Sequence, residues 1–429
     1  MIESIDKYEI TKDFKIRLVK SKKFKTDLIG LVLLRPLTDK EASQLALVSR
    51  LLYRGTVEYP NAKAFNDRLD ELYGSIFISD TVKYGERIAM HCKIQFPNKR
   101  LVENKDIYQE AAVFLRNALF DVYHEGDRFN QEFFDQEKNK LIEEINSRVN
   151  DKITYAVERC IETMCEDEAF SVYQYGSIET IESLTNEEVY AYYLEFLNSS
   201  PIEILSIGDI DSDETYEVLE KTFDIKNQNE VVDTECKNEI HGEKDVKYIT
   251  EDMNVNQGKL TMGFRTNIRY DDSLYEPSVL FATILGGGGN STLFKNVREK
   301  ESLCYYIFSK IEKFKSIMLI AAGIEVGNYD KTLELILEEI EKLKRGEFNE
   351  EDIDIAKEVI VSSIKSLSDY PNSFVNYYYS RELTGREYDE KKMIEDVMNV
   401  TKEEIIEAGN KLILDTVHFI RGDKSNDNQ

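Results

Sequence analysis

The histidines of this chain do not have the spacing of a helical zinc site. Such a site places two histidines three to five residues apart, so that both imidazoles lie on one helix face. The four histidines are His91, His124, His241 and His418. No G-x-S-x-G motif is present either, so a serine nucleophile elbow is not supported. We therefore expect all four histidines to be structural or solvated.

A run of glycines, Gly286 to Gly289, precedes Asn290, Ser291 and a predicted helix. Such a run can cradle a phosphate, because the N–H groups at a helix N-terminus attract anions. The G-x-x-x-x-G-K-[ST] pattern is absent, since Asn290 and Ser291 stand where its lysine and hydroxyl residue would be. The favoured interpretation is a glycine turn in which Asn290 or Ser291 caps the helix.

The elements that must position any site are repeated along the chain, and a repeat of this kind decides the fold. The paired segments are 129–145 with 348–364, 185–189 with 401–405, 72–77 with 303–308, and 208–209 with 422–423. They occur in the same order. We predict two tandem homologous halves, 1–226 and 248–429, joined by a polar linker, 227–247.

Both halves show the same order of predicted elements: two strands, two helices, a long hairpin, more helices and a last strand. The strands are predicted at 16–19, 28–34, 75–83, 88–95 and 202–207, and again at 247–250, 260–265, 305–313, 317–323 and 417–420. Hairpins and helical runs segregated in this way predict the α+β class. In each half we expect an antiparallel sheet with helices on one face.

Charge and cysteine content limit the partners and the compartment. Lysine and arginine number 55 against 82 aspartates and glutamates, a net charge of −27, so neither nucleic acid nor an anionic membrane is expected as a partner. The five cysteines include no C-x-x-C pair, which is typical of reduced thiols. No signal peptide is predicted, and the apolar run 28–34 is too short to span a bilayer. These features predict a cytoplasmic protein.

The segment 286–308, GGGGNSTLFKNVREKESLCYYIF, resembles the second-half signature of the insulinase/pitrilysin metallopeptidases. The resemblance extends over essentially the whole chain, through the duplication, the linker, the hairpin after the signature and the F-N-x-E helix. The chain is most similar to the non-catalytic member of the two-chain bacterial enzymes of this family. Such a member stands beside a zinc-bearing sister chain.

The family's zinc motif, H-x-x-E-H, is lost from the first half. It precedes a segment like L-F-K-G-T, which residues 52–56 (LYRGT) supply here. Counting back, Ala46 and Arg50 stand at the two histidine positions and Ser49 at the catalytic glutamate. Catalytic zinc needs three protein ligands, an open position for water, and a base for that water. The resemblance therefore implies that no catalytic residue is intact and that this chain binds no metal.

The family's third zinc ligand lies on a later helix in a pattern like E-x6-E, which Glu137 and Glu144 match. Spacing alone favours an exposed helix face, whereas the resemblance puts Glu144 at the third-ligand position and Glu137 beside it. Without zinc we expect Glu144 to be a partly buried anion, which is costly unless paired. We predict an ion pair from Arg50 to Glu144 or Glu137 in the place of the metal. The alternative is that Arg50 points into solvent.

The second half keeps the arginine and tyrosine that the family places seven residues apart, here Arg298 and Tyr305. In the family this pair holds the substrate near the scissile bond. An arginine donates fixed hydrogen bonds to a peptide carbonyl, and a phenol can donate to an oxyanion. Cys304 stands at a position where the family has a small residue, which is compatible. Without the resemblance, the pair would be an ordinary surface arginine and a half-buried tyrosine.

Two hypotheses for function follow from the resemblance. In the first, the chain is the inactive, substrate-binding subunit of a heterodimeric zinc peptidase, whose sister chain holds the zinc. Its substrate would be an unfolded peptide that adds a strand to a sheet edge. In the second, the chain is a non-enzymatic scaffold or peptide-binding protein of the same fold. Retention of Arg298 and Tyr305 favours the first hypothesis.

The isolated chain is expected to hold no stoichiometric zinc and to cleave no peptide, because Ala46, Ser49 and Arg50 cannot replace two ligands and a base. Metal analysis of the purified chain, together with an assay on an unstructured peptide, checks this. One tightly bound zinc ion per molecule would contradict it.

Overall fold

The computed structural model describes residues 2–224, 231–235, 242 and 245–422. Most of the predicted linker 227–247, including Cys236 and His241, lies outside these residues. By contacts the chain divides into two compact units. The first unit comprises Met1–Asn146, Val172–Cys236 and Leu367–Tyr379, and the second comprises Ser147–Ser171, Lys237–Ser366 and Ser380–Gln429. The boundaries of the two homologous halves, and of the linker, remain predictions.

The described residues form eleven strands and fourteen α-helices, and the helices contain nearly twice as many residues as the strands. The strands are β1 (Ser4–Glu9), β2 (Phe14–Lys20), β3 (Thr26–Pro36), β4 (Ile76–Tyr84), β5 (Arg87–Pro97), β6 (Ile202–Gly208), β7 (Lys247–Met253), β8 (Gly258–Arg265), β9 (Cys304–Glu312), β10 (Ile317–Ile324) and β11 (Ile413–Gly422). The α-helices are α1 (Asp39–Leu51), α2 (Ala62–Glu71), α3 (Ile107–Phe120), α4 (Gln131–Ser147), α5 (Lys152–Met164), α6 (Ile178–Ser183), α7 (Asn186–Ser199), α8 (Ser212–Phe223), α9 (Tyr275–Gly286), α10 (Tyr329–Lys344), α11 (Glu350–Leu367), α12 (Pro371–Glu382), α13 (Glu390–Asn399) and α14 (Lys402–Asn410).

The sheets of the two units have the same topology. The first sheet runs β1-β2-β6-β3-β5-β4 and the second runs β7-β11-β8-β10-β9. If β1 is set aside, the two orders correspond strand for strand. In each sheet one pair is parallel, β2 with β6 and β7 with β11, and the other neighbours are antiparallel. The predicted α+β class with two homologous halves is confirmed.

Strand β1 and the parallel pairs are the features of the sheets that the sequence did not predict. Strand β1 lies at an edge and none of its residues is fully buried. Its sequence, SIDKYE, therefore needs no apolar pattern, and without one the strand could not be predicted. The parallel pairs arise because the last strand of each half returns between earlier strands. That placement depends on long-range packing rather than on local sequence.

Local contacts fix the two ends of the helical segment that carries Ala46, Ser49 and Arg50. Helix α1 begins after Thr38, whose hydroxyl accepts a hydrogen bond from the backbone N of Glu41 at 3.1 Å. The helix continues into a 3-10 turn, Leu52–Arg54, and ends at Gly55 with φ of 134°. A Cβ on Gly55 would lie 2.5 Å from the carbonyl oxygen of Tyr59. Glycine is therefore required where the LYRGT segment turns away from the helix.

The first unit contains α12, a helix from the second half of the sequence. The buried Lys93 of β5 donates hydrogen bonds to the side-chain oxygens of Asn372 (2.9 Å) and Asn376 on this helix. The ring of Tyr379 packs edge-on against the buried His91, with centroids 5.7 Å apart. Lys93 and His91 therefore depend on α12 for their burial, on the sheet face opposite the core residue Cys92.

The second unit contains α5, a helix from the first half of the sequence. Gly263 of β8 has no side chain where α5 crosses, and a Cβ there would lie 2.7 Å from the sulfur of Met164. Arg265 donates hydrogen bonds to the carbonyl oxygen of Met164 at 2.9 Å and to Glu168 at 2.6 Å. An apolar cluster that includes Cys160 and Ile317 fills the same contact. Each unit is thus completed by one segment from the other half of the sequence.

This reciprocal exchange predicts the behaviour of a cut chain. If a protease site is inserted at Gly242 and cleaved, the two fragments should remain associated, since each unit contains residues of both. Expressed alone, fragment 1–226 would lack α12 and expose the His91 and Lys93 face, so it should aggregate or stay partly unfolded. Size-exclusion chromatography before and after cleavage tests this, with the uncut insertion protein as control. Two separate, folded fragments would contradict the expectation.

Candidate functional site

Ala46, Ser49 and Arg50, the positions at which the resemblance places the zinc motif, lie in the second half of α1. Ala46 is buried in the core and offers no ligand atom. The hydroxyl of Ser49 is also buried, and it donates to the carbonyl oxygen of Ala46 at 2.9 Å. Neither residue can bind a metal or act as a base, because one has no functional group and the other is engaged with its own helix.

The predicted ion pair is present between Arg50 and Glu144. An Nη of Arg50 donates to Glu144 and so links α1 to α4. The guanidinium also lies 5.7 Å from the centre of the Tyr175 ring. One expectation was wrong, since the Glu144 side chain is 45% exposed rather than partly buried. The prediction of the pair is confirmed, but much of its attraction is screened by water.

The buried carboxylate is that of Glu137, and its partner was not predicted. Its side chain is only 8% exposed, and it accepts hydrogen bonds from Nε of Arg54 at 2.7 Å and from Nζ of Lys140 at 3.1 Å. The guanidinium of Arg54 also packs over the ring of Phe133. The sequence spacing could have predicted this contact. Arg54 follows Arg50 by four residues, about one helical turn, so both side chains face α4.

These side chains surround a cavity of about 420 Å³ in the first unit. Its walls include the end of α1, strand β4 and helix α4, and three cations (Arg50, Arg54 and Lys140) face it beside the carboxylates of Glu137 and Asp80. The residues do not fit a zinc ion. Within the described ranges no group of three His, Cys, Asp or Glu side chains could hold a metal, and two guanidiniums repel one.

In the second unit, Arg298 and Tyr305 are both open to solvent. Arg298 lies on a wide helical turn, Phe294–Lys300, and its guanidinium packs over the Phe294 ring at 4.5 Å. The side chain of Tyr305 is 52% exposed, and its hydroxyl donates to Glu325 at 3.3 Å. Burial raises the pKa of the Cys304 thiol to about 11, and the charge of Arg298 opposes that shift. Arg298 therefore acts electrostatically on the residue next to Tyr305.

A β-bulge places Tyr305 outside the regular ladder. Gly323 of β10 pairs with Tyr306, whereas the next residue, Ile324, pairs with Cys304. Tyr305 is the extra residue between them, and bulges of this kind redirect a side chain. No local pattern predicted the bulge, which is visible only in the register of β9 against β10.

The predicted glycine turn lies beside the same strand. A Cβ on Gly286 would lie 2.5 Å from the backbone N of Ser309 in β9, so the glycine lets the end of α9 approach the sheet. The hydroxyl of Ser291 donates to the carbonyl oxygen of Gly288 at 2.6 Å and closes the turn on itself. The run therefore has a packing role in this structure.

The chain matches a known family model and known proteins. Residues 183–360 match the family described as peptidase M16 inactive domain. The chain is 32% identical over 406 residues to the Bacillus subtilis (strain 168) protein named "Probable inactive metalloprotease YmfF", covering 94% of this chain and 95% of that protein. A conserved protein from Enterococcus faecalis V583 has a TM-score of 0.91 at 26% identity, over 99% of this chain and 100% of that chain.

A peptidase M16 inactive domain from Pseudomonas fluorescens shares the fold, with a TM-score of 0.79 at 14% identity over 97% of this chain and 98% of that chain. The fold and the degenerate site thus define a duplicated α+β homologue of metallopeptidases. This chain belongs to the M16 family, as its resemblance to the insulinase/pitrilysin enzymes predicted. No helix in the described part of the chain is long and apolar enough to cross a bilayer.

The difference in burial between the two ion pairs predicts unequal effects of mutation. Arg54→Ala leaves the buried Glu137 with Lys140 alone, so it should lower the free energy of unfolding by about 2–3 kcal/mol. Arg50→Ala removes a partner from Glu144, whose side chain is already 45% exposed, and should cost less than about 1 kcal/mol. Urea unfolding at neutral pH measures the free energy of unfolding of both variants. The double variant Arg54→Ala/Glu137→Ala should be more stable than Arg54→Ala, because it no longer buries an underpaired carboxylate. Equal losses in both single variants would contradict this ranking.

Proposed function

We propose that this chain is the non-catalytic, substrate-binding subunit of a heterodimeric zinc peptidase that acts on unfolded peptides. The observation that carries the proposal is the contrast between its two sites. In the first unit, Ala46, Ser49 and Arg50 replace the motif, and Arg50 pairs with Glu144. In the second unit, the family's arginine and tyrosine are retained, and both side chains are exposed.

Arg298 and Tyr305 have the chemistry to hold a peptide. A guanidinium can donate two parallel hydrogen bonds to carbonyl oxygens, and its planar group loses little freedom in doing so. The phenol of Tyr305 can donate to a carbonyl oxygen that gains negative charge as the peptide bond is attacked. Its present bond to Glu325, at 3.3 Å, is long for an O–H···O hydrogen bond, so a closer acceptor on a bound peptide can replace it.

The catalytic zinc belongs to the sister chain in this proposal. The remaining candidate ligand here, Glu144, is exposed and paired with Arg50, so this chain supplies neither the metal nor the base. A zinc-bearing homologue with an intact H-x-x-E-H motif would supply both.

The charge of the chain favours cationic or polar peptides as partners. With a net charge of −27, the chain repels nucleic acids and anionic membranes, which are not partners in the proposal. A cytoplasmic location agrees with the cysteines of the described residues, because Cys92, Cys160, Cys165 and Cys304 are all buried thiols without a disulfide.

The test is kinetic and uses the complex. With the co-purified sister chain, Arg298→Ala and Tyr305→Phe should each lower kcat by about tenfold or more, because each removes a hydrogen bond made in the transition state. The heterodimer should still form, as judged by size-exclusion chromatography. Tyr248→Phe, which changes another exposed tyrosine on an edge strand, should leave kcat unchanged.

Two results would reject the proposal. The first is unchanged kinetics in both Arg298→Ala and Tyr305→Phe. The second is purification of the native protein as a homodimer, or in a large assembly without a zinc-bearing homologue, which would favour the scaffold hypothesis.

A further inference from the structure

Strand β4 forms an edge of the first sheet, and its free side faces the cavity. In an antiparallel sheet the residues of an edge strand alternately point both backbone groups toward the neighbouring strand or both away from it. Ser79, near the centre of β4, points both of its backbone groups away from β5, because both bond a side chain outside the sheet. An edge with such free groups can accept another strand.

The hydroxyl of Tyr53 bonds both backbone groups of Ser79. The backbone N of Ser79 donates to Oη of Tyr53 at 2.6 Å, and Oη donates to the carbonyl oxygen of Ser79 at 3.3 Å. Burial raises the pKa of the Tyr53 phenol, so the group stays protonated and can donate. One side chain thus supplies the donor and the acceptor that a residue of an added strand would supply.

Tyr53 is held in this position by its surroundings. Its ring packs edge-on against Phe77 of the core, with centroids 5.1 Å apart. It lies on the 3-10 turn between Arg50 and Arg54, whose ion pairs to α4 fix the turn from both sides. The side chain is 39% exposed, so a competing group can reach it from solvent.

We infer that Tyr53 closes the β4 edge to an extended peptide, so that the degenerate half does not take a substrate strand at Ser79. The hydroxyl of Tyr53 is the specific feature, because it makes both hydrogen bonds to the backbone of Ser79. A phenylalanine ring can pack on Phe77 but cannot make either hydrogen bond. This inference concerns the isolated chain and does not rest on the proposed heterodimer.

The test compares the isolated chain with its Tyr53→Phe variant. Hydrogen exchange at the Ser79 amide should become about tenfold faster or more in the variant, because the amide loses its acceptor while β4 remains paired with β5. A short fluorescein-labelled peptide without proline should bind the variant about fivefold more tightly or more, because both hydrogen bonds that compete with an added strand are removed. Adding this peptide should slow the Ser79 exchange again.

Tyr370→Phe is the matched control, since it removes the hydroxyl of a tyrosine that is 70% exposed. It should change neither the Ser79 exchange nor the peptide affinity. The inference is overturned if Ser79 exchange is the same in wild type and Tyr53→Phe. It is also overturned if the variant binds the peptide no more tightly than wild type, including the case in which neither binds. Thermal melting of the variant confirms that it is folded.

Discussion

The first unit depends on the pairing of a buried carboxylate between two helices. Glu137 is nearly excluded from water, and an unpaired charge there would cost several kcal/mol. The cations that pair with α4 belong to the chain itself, as Arg54 and Arg50 at the end of α1. Two covalently attached cations therefore link the end of α1 to α4 through Glu137 and Glu144.

The two halves share a topology and have diverged in what they present to solvent. In the first, Arg50, Arg54 and Lys140 at the cavity pair with carboxylates of α4, and a tyrosine covers the backbone at the edge of the sheet. In the second, the corresponding edge strand β9 begins with a bulge that exposes Tyr305, beside an exposed Arg298. Because the strand order is the same, this difference arises from a few side chains and one extra residue.

The sequence alone predicted most of the elements and one contact of the candidate site, the Arg50–Glu144 pair. Most strands lie within a few residues of their predicted bounds, since periodicity and turn residues are local signals. The Arg50–Glu144 pair was predictable because the family spacing brings two helices face to face. Glu137 as the buried partner, the exchange of α5 and α12, and the contact of Tyr53 with Ser79 were not. Each depends on packing between residues distant in sequence, which local patterns do not encode.

The contact of Tyr53 with Ser79 has a physical use of its own. An open edge strand is a site for unwanted pairing between chains, and here one side chain bonds both backbone groups at the centre of that edge. The same short segment that carries Arg50 and Arg54 also carries Tyr53, so the side chains that pair with α4 and the one that covers the edge lie within about one helical turn. Stabilising this segment against α4 therefore also holds the edge closed.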